Sequence, residues 1–292
     1  MSFIAGFEHC IRQQVPLAPH TWLRLGGPAE YFAEPASLEE LREIVRRAKA
    51  NKLAARVLGG GSNVLISEQG VPGVVIHLSA PCFATISVEG PVVKAGAGAK
   101  LGQVVATAVR EGLAGLEALV GIPGTVGGAL RLNAGTRSGD IGQWTSAATV
   151  MNVDGEIVRR GREDLVFSYR ESSLDELVIV SAEFELDRDD PTELTKRMQK
   201  QWIVKKAKLP MSHQPTGCIF KNPRGMSAGD LIETAGLKGA RVGGAEVSDR
   251  HANYIVTDES TTTADILKLI EHIRSRVSER LGVDLQNEIQ VW

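Results

Sequence analysis

The chain has 292 residues, of which 43% are hydrophobic and 23% charged, with a formal net charge of −2. That length calls for two or three packed lobes, and that balance argues against bulk disorder and against a nucleic-acid partner, which would want a basic surplus. No stretch reaches the ~20 apolar residues of a membrane span, and the first residues lack the basic-then-apolar pattern of a leader. Cys10, Cys82 and Cys218 are widely spaced and make neither a disulfide framework nor a zinc-type cluster. No metal is therefore expected, and a reducing, cytoplasmic setting is.

In chain order, residues 37–50 carry Leu38, Leu41, Ile44, Val45 and Ala48 at helical spacing, with Ser37 and Glu40 placed for a capping box. Residues 56–58 form a short apolar strand feeding a run of glycines. Residues 74–78 and 92–95 read as strands, and 101–111 as a helix closed by Gly112. Residues 118–135 hold Gly121, Gly124, Gly127, Gly128 and Gly135 as well as Pro123. A regular helix or strand tolerates that composition badly. Asp154-Gly155 between apolar runs predicts a hairpin over 149–159, and 177–186 a further strand. A helix is predicted from Asp190-Pro191 to Lys208, before Pro210, with Glu193 placed to cap it. Short strands at 218–221 and 253–257 follow, with a short helix over 228–235. A long amphipathic helix over 264–281 puts Ile266, Ile270, Ile273 and Val277 on one face, and an alternating strand spans 285–291. The fold class is α+β.

Two segments carry the chemistry of phosphate binding. Gly59, Gly60, Gly61, Ser62 and Asn63 follow a strand directly; small residues let successive N–H groups point into one concavity, and Ser62 and Asn63 add donors. The second segment is Gly121, Ile122, Pro123, Gly124, Thr125, Val126, Gly127 and Gly128. Neither ends in the Lys-Ser/Thr of a P-loop, and neither fits G-x-G-x-x-G; the Gly96-Ala97-Gly98 stretch misses it too, because Leu101 stands at the third glycine position. Any one glycine is better read as a tight turn. Two dense clusters with Ser, Thr and Asn favour a phosphorylated ligand of nucleotide type.

The order of motifs resembles the UDP-N-acetylenolpyruvoylglucosamine reductase family over nearly the whole chain. Residues 20–29 (HTWLRLGGPA) resemble its opening motif, and Gly59 to Asn63 its flavin diphosphate loop. Gly115-Leu116-Glu117, residues 121–129 and Asn133-Ala134-Gly135 resemble its central signature, Tyr169-Arg170 its Tyr-Arg pair, and residues 217–223 (GCIFKNP) its C-terminal motif. Residues 227–233 and 251–256 follow in the same order. The resemblance implies an FAD-binding region of two α/β subdomains of the vanillyl-alcohol-oxidase type, over 1–75 and 76–189, and a C-terminal α+β substrate lobe over 190–292. It implies non-covalent FAD, NADPH as co-substrate, and a UDP-sugar substrate bearing an enolpyruvyl group. It implies neither a nucleic-acid nor an obligate protein partner. The chain is similar to the shorter type, without the extra substrate-capping loop.

The implied reaction sends a hydride to an alkene beside a carboxylate, so it needs donors for the oxygens and an acid for the carbon. By the resemblance these are Arg170, whose guanidinium matches a carboxylate bidentately, Glu288, and Cys218, the proton donor where the family usually has Ser. A free thiol has a pKa of about 8.5 and is mostly protonated at neutral pH. On the residues alone Arg170 reads as a surface arginine beside an acid such as Glu171, Cys218 as a small packed residue, and Glu288 as a strand residue facing solvent or a polar site equally well. Lys221 and Asn222 are the substrate contacts that the motif implies. Lys205, Lys206, Lys208 and Arg224 read as a solvated basic face, His251 as a hydrogen-bonded structural residue, and Cys10 and Cys82 as packing.

Overall fold

The structure, a computed structural model, describes residues 3–208 and 216–292. The chain divides into two units: Met1–Val15 with Ala29–Gly60 and Pro72–Lys205, and Pro16–Pro28 with Gly61–Val71 and Lys206–Trp292. One of the crossings falls inside the first glycine loop, between Gly60 and Gly61.

Up to residue 110 the elements are β1 (Ile11–Pro16), β2 (Pro28–Ala33), α1 (Leu38–Ala50), β3 (Ala55–Leu58), β4 (Val64–Leu65), β5 (Val71–His77), β6 (Ile86–Glu89), β7 (Val92–Gly96) and α2 (Leu101–Arg110). In the first unit, α1 starts where Ser37 accepts the Glu40 N–H at 3.2 Å. Glu40 does not return the bond to Ser37. It accepts the Ala36 N–H at 2.7 Å, one residue earlier than a capping box would place it. Leu41, Ile44, Val45 and Ala48 are buried on one face of α1, as the spacing predicts. A four-stranded sheet runs β1-β2-β5-β3, with β3 and β5 parallel.

A second sheet has the order Ile157–Gly161, Thr145–Met151, Val178–Glu185, β7, β6, with each neighbouring pair antiparallel. The Asp154-Gly155 hairpin joins its first two strands. The core of this unit gathers α1, the inner residues of the sheets, and Leu101, Val104, Leu116, Val126 and Phe184. Full burial of such side chains contributes ~1.5–3 kcal/mol each. Helix α4 (Pro191–Lys208) starts where Asp190 accepts the N–H groups of Thr192 and Glu193. Its first fifteen residues, to Lys205, belong to the first unit. Pro210, the expected stop, lies outside the described residues.

Regular structure also enters where the glycines argued against it. Helix α3 (Val126–Arg131) runs through Gly127 and Gly128, and Leu116–Leu119 is a 3₁₀ turn. Thr125 caps α3 by accepting from Gly128, and a methyl group on Gly127 would stand 3.0 Å from the Ala97 Cβ. Close packing against Ala97 outweighs glycine's poor helix propensity here.

In the second unit, α5 (Ala228–Thr234) and α6 (Thr263–Leu281) form a core with Ile219, Phe220, Leu285 and Ile289. Helix α6 opens on a reciprocal cap: Thr262 accepts the Asp265 N–H at 3.1 Å, and Asp265 accepts the Thr262 N–H at 3.0 Å. Its buried face is Ile266, Leu269, Ile270, Ile273 and Val277. A small antiparallel sheet orders Arg241–Val242, Ala245–Val247 and Ile255–Thr257. The two strands predicted at 218–221 and 285–291 shrink to one bridge, Phe220 opposite Asn287, and a two-residue strand, Gln290–Val291, parallel to β4. Among the described residues no helix is long and apolar enough to cross a membrane.

Candidate functional site

In the first unit the two glycine loops touch. A methyl group on Gly60 would lie 2.8 Å from the Gly124 Cα, and one on Gly59 would lie 2.7 Å from the Thr125 Oγ1. Side chains at either position would push the loops apart. The second loop is pinned from the other side. Leu101 donates to the Gly124 carbonyl at 3.0 Å, Val126 to Ala99 at 2.9 Å, and Gly127 to Ala97 at 2.9 Å. The Val126 and Gly127 N–H groups thus hold the loop in place rather than facing a ligand. Two bare backbones set side by side fit a diphosphate cofactor, which needs close approach to the main chain.

Helix α4 supports the same loop. Glu117, 8% exposed, accepts the Gly115 N–H at 2.5 Å and the Arg197 guanidinium at 3.1 Å. Lys205 donates to the Val120 carbonyl at 3.4 Å, which gives it a structural contact that the basic-face reading missed. Gly121 has φ +73°, and a methyl there would stand 2.5 Å from the Trp202 ring. Both backbone angle and space require glycine at this position.

Arg170 sits in the two-residue turn between Phe167–Ser168 and Glu171–Ser172. Its Nη1 donates to the Gly135 carbonyl at 3.1 Å, and its guanidinium carbon lies 5.2 Å from the Tyr169 ring centroid. Its φ is +61°, in the left-handed region. A residue with a Cβ loses roughly 1–2 kcal/mol there, so surrounding contacts must hold it.

Cys218, Lys221, Asn222 and Glu288 fall in the second unit, together with Gly61, Ser62 and Asn63. Residues 217–222 run beside 286–290. The backbone N–H of Lys221 donates to the Gln286 carbonyl at 2.8 Å, and the backbone N–H of Glu288 to the Ile219 carbonyl at 2.7 Å. The Asn63 amide donates to the Glu288 carbonyl at 3.0 Å, and the Gln290 N–H donates to Asn63 at 3.0 Å. A methyl on Gly217 would lie 3.6 Å from the Ser62 carbonyl. Cys218 and Glu288 are therefore on neighbouring segments, both half-buried, with Asn63 bracing the second. Gly61, φ +63°, leaves no room for a Cβ against the His20 carbonyl.

Asn222, expected to contact substrate, uses its Oδ1 to accept the Ala228 N–H at 2.9 Å at the start of α5. His251 accepts the Asn253 N–H at 3.3 Å and meets Tyr254 edge-on, the structural part expected for it.

Two asparagines had no assigned role in the sequence. Asn253, 2% exposed, accepts the Phe220 N–H at 2.9 Å and donates to its carbonyl at 2.8 Å. It mimics a strand neighbour and fixes the backbone two residues from Cys218. Asn133, 2% exposed, donates to the Ser168 carbonyl at 2.7 Å and accepts the Gly142 N–H at 3.1 Å. Both lie inside the quoted motifs, and a polar residue between apolar neighbours was the available signal.

His9, Cys10 and Glu40 bring possible metal-ligand atoms within 4.8 Å of one another. His9 Nε2 and Glu40 Oε1 are already paired at 3.1 Å. Burial, helped by the Glu40 charge, pushes the Cys10 thiol up to about 11, so it keeps its proton.

Residues 209–292 match the family described as UDP-N-acetylenolpyruvoylglucosamine reductase, C-terminal domain. Residues 29–161 match the family described as FAD binding domain. Over 284 residues the chain is 41% identical to UDP-N-acetylenolpyruvoylglucosamine reductase 2 of Symbiobacterium thermophilum, covering 97% of this chain and 92% of that one. It is 38% identical over 284 residues to UDP-N-acetylenolpyruvoylglucosamine reductase of Rhodopirellula baltica, covering 97% and 93%. The crystal structure of UDP-N-acetylenolpyruvylglucosamine reductase from Thermus caldophilus matches with a TM-score of 0.83 at 38% identity, covering 97% of this chain and 99% of that one.

Proposed function

This chain belongs to the UDP-N-acetylenolpyruvoylglucosamine reductase family, and from that membership we infer that it reduces UDP-N-acetylglucosamine enolpyruvate to UDP-N-acetylmuramate with NADPH, in peptidoglycan precursor synthesis. It is an FAD-dependent oxidoreductase. The observation that carries this reading is identity of 41% running over 97% of the chain and 92% of its relative. The α+β class expected from the sequence accompanies it.

FAD, when bound, supplies the hydride chemistry between NADPH and the terminal carbon of the enolpyruvyl group. We propose that Gly59, Gly60, Gly61, Ser62 and Asn63 hold it non-covalently, with Gly121, Ile122, Pro123, Gly124, Thr125, Gly127 and Gly128, of which Gly127 acts by shaping the loop, its N–H being bonded to Ala97. The contact between Gly60 and Gly124 supports this assignment.

The remaining work falls to side chains. Arg170 binds the substrate carboxylate and stabilises the charge that develops on its oxygens as the terminal carbon gains hydride. Glu288 would need a proton on its carboxyl to donate to the same oxygens; its half-buried place beside the Cys218 segment supports that role. Cys218 holds a proton on Sγ and delivers it to the carbon next to the carboxylate, completing addition across the double bond. Lys221 and Asn222 contact the UDP-sugar, Asn222 through the amide whose Oδ1 also caps α5. The reaction runs in the cytoplasm, where the sugar nucleotide is made, and needs neither nucleic acid nor an obligate protein partner. The net charge of −2 supports the former.

Anaerobic stopped-flow absorbance tests the reaction. NADPH should bleach the flavin band, and the enolpyruvyl sugar nucleotide should restore it with formation of the saturated lactyl ether. Reduced flavin left untouched by that substrate would end the reading.

A further inference from the structure

We propose that Asn133 is the positioning residue for Arg170, acting through the backbone of the Tyr169-Arg170 turn and not through substrate or cofactor. The inference rests on the role assigned above to Arg170.

Three observations support it. Asn133 is 2% exposed, and both ends of its amide are used: Nδ2 donates to Ser168, two residues before Arg170, and Oδ1 accepts from Gly142. The same chain segment holds the guanidinium, because the carbonyl two residues after Asn133, that of Gly135, accepts Arg170 Nη1 at 3.1 Å. Finally, Arg170 and Asn133 both have left-handed backbones, with φ +61° and +41°. A left-handed residue with a side chain persists only where its surroundings fix it. The Asn133 amide tethers the strand end that enters the turn, and Gly135 tethers the side chain that leaves it. Severing the first tether leaves Arg170 free to relax toward an ordinary backbone angle and swings its guanidinium off the reacting carboxylate.

Two variants test this. Asn133→Gly removes the amide while keeping a backbone that tolerates positive φ. Asn133→Asp keeps an acceptor for Gly142 but turns a carboxylate oxygen toward the Ser168 carbonyl, so it breaks only the tether to the turn. In stopped flow, both should reduce by NADPH at the wild-type rate and keep the wild-type flavin spectrum. Both should reoxidise with the enolpyruvyl substrate more slowly, on the order of 10- to 100-fold, the scale of an ångström-sized misplacement. In an Arg170→Ala background, Asn133→Gly should slow reoxidation no further, since both act through one group. If one variant loses its flavin on purification, the other carries the measurement. Should both hold flavin yet reoxidise at the wild-type rate, or should Asn133→Gly add its full effect on top of Arg170→Ala, the proposal is overturned. If Arg170→Ala itself reoxidises normally, what fails is the role assigned to Arg170.

Discussion

Gly60 packs so closely on Gly124 that a single methyl group would stand 2.8 Å from the opposing Cα. The partner atom is backbone and cannot swing aside. Overpacking of this kind costs about 1–3 kcal/mol, which in affinity is roughly 5- to 150-fold. Gly60→Ala is therefore expected to weaken FAD binding by roughly 5- to 150-fold, if that strain bears on the bound state. Titration of apo-protein with FAD, followed by flavin fluorescence, measures it. An Ala variant that binds FAD like the wild type would show that the loop contact does not shape the cofactor site.

Glu117 joins Gly115 to Arg197 of α4. Hydrogen bonds to a charged group contribute about 1.5–3 kcal/mol. Glu117→Gln should lower the unfolding free energy measured in urea by that order and raise the FAD dissociation constant, because the loop that α4 supports is the one facing Gly60. Loss of stability with unchanged FAD affinity would confine Glu117 to a structural part.

Asn253 pairs both ways with the buried Phe220 backbone. Asn253→Ala leaves a donor and an acceptor without their partner, at about 1–3 kcal/mol each. Unfolding in urea should reveal the loss. Because the freed segment carries Cys218, reoxidation should slow more than flavin reduction does.

The Cys10 thiol, held near 11 by burial and the Glu40 charge, gives a pH signature. Its folded pKa lies above the ordinary thiol value, so the unfolded chain loses this proton first as pH rises. The contribution to stability is whole below about pH 8.5 and falls as pH climbs toward 11. Iodoacetamide at pH 8 should label the exposed Cys82 well before Cys10, and mass spectrometry of peptides reads the order. Early labelling of Cys10 would contradict its burial.

Periodicity made the long elements legible. Residues 38, 41, 44, 45 and 48 marked α1, Asp154-Gly155 marked its hairpin, and the isoleucines of α6 marked its buried face. Local pattern failed where tertiary contact decides. Helix α3 runs through two glycines, the first of which packs against Ala97, and the strand expected at 218–221 is a single bridge because Asn253 takes the place of a strand neighbour. The candidate site was legible as motifs, since glycine clusters and the Cys218 run stand out in one sequence. Asn133 and Asn253 did not stand out, because their work is done on backbone groups 35 and 33 residues away.

The central claim is that Cys218 delivers the proton to the substrate carbon, and the two half-reactions of Cys218→Ala separate that role from every other. Flavin reduction by NADPH should stay near the wild-type rate. Reoxidation by the enolpyruvyl sugar nucleotide should slow by ~10²-fold or more, the scale of a lost general acid, and Cys218→Ser should keep substantial activity. Equal slowing of both steps, or normal reoxidation without the thiol, would contradict the account.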